Sequence, residues 1–177
     1  MTKEIVLGVS ASIAIYKACD ILRRLRDEGW VVTVVQTPDS TELIRPIVFE
    51  SLSGNKVYHE MFTATASWEI GHISLAEKAS LVLIAPATAN IIAKIAGGIC
   101  DDLLSCVVLA TRAPVVICPA MNQGMYLNKI TQQNIEKLKK LNYIFVGPKK
   151  GKLACAKEGL GCLAEVETII QEVKKII

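Results

Sequence analysis

The 177-residue chain is poor in aromatic residues, at 5%, and has only two histidines. So few aromatics provide no platform on which nucleic-acid bases could stack. No unbroken apolar run approaches the roughly 18 residues that a membrane span needs. The opening MTKEIVLGVS lacks the charged region, long apolar stretch and cleavage site of a signal peptide, so none is expected. The six cysteines form no CxxC pair and have no histidine at metal-ligand spacing, which excludes a zinc module. Cys19, Cys100, Cys106 and Cys118 sit in apolar stretches and read as core thiols. A reduced, cytoplasmic setting follows. The net charge of +3 is small, and Lys137, Lys139, Lys140, Lys174 and Lys175 read as solvated helix faces without a nucleic-acid signal. The first strand–helix junction lacks GxGxxG, the usual dinucleotide fingerprint. Repeats, linkers and composition shifts are absent, so residues 1–177 read as one domain.

What the chain has is apolar surplus: 51% hydrophobic residues and a mean hydropathy of +0.39. Without a span, that surplus predicts deep burial and subunit contacts. Strands are expected at Ile5–Ser10, Val31–Gln36, Ser80–Ala85 (stopped by Pro86), Pro114–Cys118 and Tyr143–Val146. Helices are expected at Ile13–Glu28, Thr41–Leu52 with Pro46 near its start or kinking it, Ile91–Ala96, Asp101–Ala110, Thr131–Leu141 and Glu165–Ile177. This alternation predicts one doubly wound parallel sheet, a Rossmann- or flavodoxin-like three-layer α/β domain. Residues 55–70, with His59, show no period and read as a functional or interfacial connection. Residues 147–161 hold four Gly, one Pro and four Lys around Cys155, the composition of a lid.

Open α/β sheets bind ligands where strands end. Ser10-Ala11-Ser12-Ile13 is such an end, with hydroxyls before a helix whose free N–H groups favour one phosphate rather than a pyrophosphate. The alternative is a plain N-cap by Ser12. The central stretch is 71–105. There Ala85 to Ala89 lack large side chains, so a flat ring fits against the backbone; close helix–sheet packing is the alternative. His72 lies one short segment upstream. Asn122, after the Pro114–Cys118 strand, offers a neutral donor and acceptor or an Asx turn.

Five blocks in order resemble the homo-oligomeric flavin-containing cysteine decarboxylase family. They are Ser10 to Lys17, Gly71 to Leu75, Ala85 to Asn90, Pro119-Ala120-Met121-Asn122 with Met125, and Leu153-Ala154-Cys155 with Gly159 to Glu165. Departures are Ala11 for a usual Gly, Ala156-Lys157 for Gly-Asp, and Cys162-Leu163 for Arg-Met. The resemblance implies FMN, with its phosphate at Ser10, Ala11, Ser12 and Ile13, and with Thr37, Thr88, Ala89, Asn90 and Ile91 nearby. Ala120 would line the ring. It implies His72 as acid/base, Asn122 on the substrate carboxylate and amide, and Cys155 as proton donor in a flap at about 147–165. Met125 and Ala154 would also touch substrate, and the flap lysines would attract its phosphate. The small-molecule substrate implied is 4'-phosphopantothenoylcysteine, with a homotrimer completing each flavin site. Peptidyl-cysteine decarboxylases, flavin prenyltransferases and non-catalytic flavin-binding regulatory subunits are the alternatives. Cys155 weighs against the first, the His72 and Pro-x-Met-Asn blocks against the second, and the lack of an acidic extension against the third.

Overall fold

The computed structural model describes residues 3–61, 71–152 and 158–177. Five strands form the central sheet: β1 Glu4–Val9, β2 Val31–Gln36, β3 Leu81–Ala87, β4 Val115–Pro119 and β5 Ile144–Phe145. Their order is β2-β1-β3-β4-β5, and every pairing is parallel. This is the flavodoxin-like order, which reverses between β1 and β3. Successive strand residues face opposite layers. Ile5, Leu7, Val9, Leu81, Leu83 and Ala85 enter one core with α1 (Tyr16–Asp27), α2 (Pro46–Ser53) and α8 (Val166–Ile176). Val6, Val82, Ile84, Val115 and Ile117 enter the other, with α3 (Gly71–Lys78), α4 (Ala89–Gly97), α5 (Leu103–Ala110) and α7 (Lys129–Lys140). A Cβ on Gly8 would lie 2.5 Å from Leu104 Cδ1, so glycine there lets α5 sit close to β1. Among the described residues, no helix is long and apolar enough to cross a membrane.

Several expectations need correction. Pro86 does not stop β3. The strand runs on to Ala87, with a register shift between Ile84 and Ala87 that absorbs the missing N–H. The Thr41–Leu52 helix is two pieces: a 3-10 turn over Pro38–Glu42, and α2, which Pro46 opens. Residues 71–78, read only as a short segment, form α3. Asn122 opens a short helix, α6 (Gln123–Leu127). A second, antiparallel sheet is made by β6 (Lys149–Lys152) with β7 (Glu158–Cys162). Cys106 and Cys118 are buried as expected, but Cys100 is exposed and Cys19 half-buried. Burial pushes the Cys118 thiol far above its ordinary value.

Candidate active site

The carboxyl ends of the strands are stitched together by short hydrogen bonds. Thr37 N donates to Val9 O at 2.9 Å, joining the end of β2 to β1. Ser10 Oγ donates to Pro86 O at 2.8 Å and accepts from Thr88 N at 3.0 Å, joining β1 to β3. Ala120 N donates to Ala87 O at 2.9 Å, and Ser12 Oγ donates to Ala120 O at 3.1 Å, bringing in β4. Ser12 also accepts from Ala14 N at 3.3 Å and so caps the 3-10 turn Ile13–Ile15 that leads into α1. Thr88 caps α4 by accepting from Ile91 N at 3.3 Å. Its own proton has no acceptor among the described residues and is available to a ligand.

Above this rim lies a cavity of about 670 Å³, within the usual range of small-molecule sites. Its first wall is Ala11, Ser12 and Ile13, with Thr88 and Ala120 as floor. Asn122 and Met125 stand on the α6 side. The β6–β7 hairpin closes a further side with Lys152, Gly161 and Cys162. The hairpin is seated by Met121 N donating to Gly161 O at 3.0 Å and Leu160 N donating to Gln123 Oε1 at 2.8 Å. Gly161 has φ +153°, and a Cβ there would overlap the Met121 carbonyl oxygen, so only glycine fits this seat. At the hairpin base Lys149 pairs with Glu165. The Lys149 ammonium holds the Glu165 carboxyl below its usual range, and that bond in turn raises Lys149. None of the described lining residues is acidic, whereas Lys17 and Lys152 are cationic.

The expected site residues divide into three groups. Ala11, Ser12, Ile13, Thr88, Ala120, Asn122 and Met125 share the cavity. Ser10, Thr37, Ala89, Asn90 and Ile91 lie behind or beside it. Ser10 is 2% exposed with its hydroxyl engaged on both sides, and Ile91 is core. His72 is half-buried in the first turn of α3, outside the lining of its own chain's cavity. Ser80, just beyond α3, meets Glu4 at the amino end of β1, so α3 climbs from His72's end towards that edge. Ala154 and Cys155 lie outside the described residues. Asn122 Oδ1 accepts from Gly124 N at 2.8 Å, so the Asx turn and the site position hold together. Lys17, Met121, Lys152, Gly161 and Cys162 also line the cavity, and of these only Lys152, as one of the flap lysines, carries an expected role. The one available signal for Lys17 is its place one turn into the helix that follows the Ser12 cap.

The flavoprotein family model matches residues 1–177. The chain belongs to the flavoprotein family. Among its flavoprotein relatives is a probable phosphopantothenoylcysteine decarboxylase of Streptococcus mutans, 43% identical over 177 residues and covering 99% of both chains. Another is the coenzyme A biosynthesis bifunctional protein CoaBC of Vibrio cholerae, 45% identical over 163 residues. That match covers 92% of this chain but 41% of the relative, so the chain spans about two fifths of the bifunctional protein's length. A serine-for-cysteine mutant of PPC decarboxylase complexed with pantothenoylaminoethenethiol superposes with TM-score 0.87 at 28% identity, covering 99% of this chain and 98% of the other. The FMN binding protein AtHal3 superposes at 0.84 and 29% identity, covering 99% and 96%.

Proposed function

We propose that this flavoprotein decarboxylates 4'-phosphopantothenoylcysteine to 4'-phosphopantetheine in coenzyme A biosynthesis, with FMN as cofactor. The carrying observation is the single concave space that joins the Ala11–Ile13 wall, Thr88, Ala120, Asn122 and Met125. The full-length match to a probable phosphopantothenoylcysteine decarboxylase supports the same reading. The residues fit FMN chemically. Ala11, Ala14, Ala120 and Gly161 leave flat, uncluttered surface, while the Thr88 hydroxyl and the N–H groups opening α4 and the 3-10 turn suit one phosphate.

Bound FMN would supply a two-electron acceptor and store, the chemistry that lets a cysteine carboxylate lose CO2 by way of thioaldehyde and enethiolate forms of the substrate. Asn122, fixed by its bond to Gly124 N, orients the substrate carboxylate and amide. His72 takes the thiol proton. Cys155 on the flap, residues 147–165, donates the proton that completes the product, and the Lys149–Glu165 pair anchors the flap base. A homotrimer brings His72 of one subunit to the cavity of the next, in keeping with its place outside its own cavity. Exposed Ile73, 40% accessible beside it, belongs to that interface. Five free thiols among the described residues suit a reducing cytoplasm.

Anaerobic single turnover of a Cys155→Ser variant tests this reading. The expected outcome is CO2 release, bleached flavin absorbance and a product two hydrogens short of 4'-phosphopantetheine. Fully reduced product at the wild-type rate would remove Cys155 from the mechanism, and no CO2 from the folded, flavin-loaded wild type would remove the reaction.

A further inference from the structure

We infer that Cys100 and Cys106 form a peroxide-oxidisable dithiol, with Cys100 the residue modified first and Cys106 the thiol that closes it as a disulfide. The inference goes beyond the decarboxylase reading and does not depend on it. Cys100 stands two residues before the Asp102 cap of α5, and Cys106 is the fourth residue of that helix. The chain turns at Asp102, which is extended (φ −139°, ψ 164°), and lays Cys100 against the first helical turn, much as a hydrophobic staple packs. Here the packed groups are thiols. Cys106 Sγ donates to Cys100 O at 3.5 Å, and the Cys100 side chain is also within hydrogen-bonding reach of the Cys106 thiol. The frame around the pair is fixed. Asp102 and Ser105 complete a capping box between the two cysteines. Lys94 Nζ meets Asp101 Oδ1 and Asp102 Oδ2, each at 2.7 Å, and ties the same loop to α4. Little chain freedom is left to lose when the thiols join.

Exposure divides the roles. Cys100 is open to solvent, whereas Cys106 is 9% exposed. Burial, the Cys100 side chain and the Asp102 and Asp101 carboxylates hold the Cys106 thiol above its ordinary pKa, so it stays protonated and does not react first. Hydrogen peroxide oxidises Cys100: the O–O bond breaks, one oxygen joins Cys100 Sγ as a sulfenic acid, and the other leaves as water. Cys106 Sγ then displaces the sulfenic hydroxyl. An S–S bond forms, the S–O bond breaks, and the hydroxyl leaves with the Cys106 proton as a second water. A reducing thiol reverses the link. The alternative is two small apolar side chains that only pack.

Mass mapping of the FMN-loaded protein, after hydrogen peroxide and then thiol blocking, separates the two. The wild type should give an internal Cys100–Cys106 link, lighter by two hydrogens and reversed by dithiothreitol, while fully buried Cys118 stays a free thiol. Cys100→Ser should leave Cys106 a free thiol. Cys106→Ala, or Cys106→Val should alanine leave too large a gap, should stop Cys100 at a sulfenic acid that dimedone captures. FMN content and urea midpoint, taken before oxidation, check that each variant is folded. The wild-type map decides between linked and packed thiols whatever the variants do. Cys100 carried to sulfinic acid beside a free Cys106 overturns the dithiol. So does a Cys100 that peroxide leaves unmodified, or one that joins a different cysteine. Oxidation of Cys106 at an unchanged rate in Cys100→Ser overturns the order of the two steps and with it the inference.

Discussion

Ser10 shows how a residue can matter to a site without touching what the site binds. Its hydroxyl donates to Pro86 O and accepts from Thr88 N, so it fixes the turn that presents Thr88. Removing one partner of a buried pair leaves the others unsatisfied, at about 1–3 kcal/mol. Ser10→Ala should therefore lower the unfolding free energy of the cofactor-free protein by an amount in that range, read from its urea denaturation curve. Thr88→Val, which removes the donor facing the cavity, should instead raise the FMN dissociation constant. A Ser10→Ala protein of unchanged stability but weakened FMN binding would make Ser10 a direct ligand. The sequence pattern of hydroxyls before a helix leads to the rim of the cavity, which Ser12 lines. It does not say which hydroxyl is spent on the backbone, because that depends on Pro86 and Thr88, 76 and 78 residues away.

At the scale of elements, the strands of the central sheet, with their apolar and β-branched runs, were legible, and those held by context were not. Val31–Gln36 reads as a strand and is one, with its expected bounds, because its β-branched run has no competing period. The β6–β7 hairpin is built from Lys and Gly, poor strand formers, and is held by its seat on Met121 and Gln123 rather than by propensity. α3 was missed because within it only Leu75 and Ala76 pack into the core, joined by Ala79 just past its end. The start of α5 is a stronger case of local coding. Asp102 accepts from Ser105 N at 2.8 Å and completes a capping box. Its other oxygen meets Lys94 Nζ at 2.7 Å, as does Asp101, tying α4 to α5. Desolvation works against the Lys94 charge, but the bonds to Asp101 and Asp102 outweigh it and raise its pKa. A raised folded value means that folding favours the protonated form. The contribution is complete below the unfolded pKa of about 10.4 and is lost as pH rises through the folded value. The urea midpoint should thus fall more steeply above about pH 10 in the wild type than in Lys94→Met. Parallel curves would show that Lys94 adds nothing. Asp102→Ala should cost about 2 kcal/mol, the upper range for a lost cap, read from the same denaturation curves.

At the scale of the whole molecule, the cavity of one chain gathers Ala11, Ser12, Ile13, Thr88, Ala120, Asn122 and Met125, whereas His72 lies outside its lining. Large apolar side chains stand exposed on the single chain, Ile47 at 60% and Ile130 at 68%, surface available to the proposed homotrimer. If each site draws His72 from one subunit and Asn122 from its neighbour, two inactive variants should rescue each other. Co-refolded His72→Asn and Asn122→Ala chains should recover activity at about a quarter of the sites, since random cyclic assembly restores one pairing in four. No recovery from well-mixed, flavin-loaded oligomers would place both residues in one subunit's site. The reaction itself is tested most directly by product mass. FMN-loaded protein is given 4'-phosphopantothenoylcysteine in one vessel and a cysteine-ended peptide in another. The expected result is 4'-phosphopantetheine with one CO2 per substrate in the first and no decarboxylation in the second. Decarboxylation of the peptide alone, or release of the unreduced enethiol from the wild type, would contradict it.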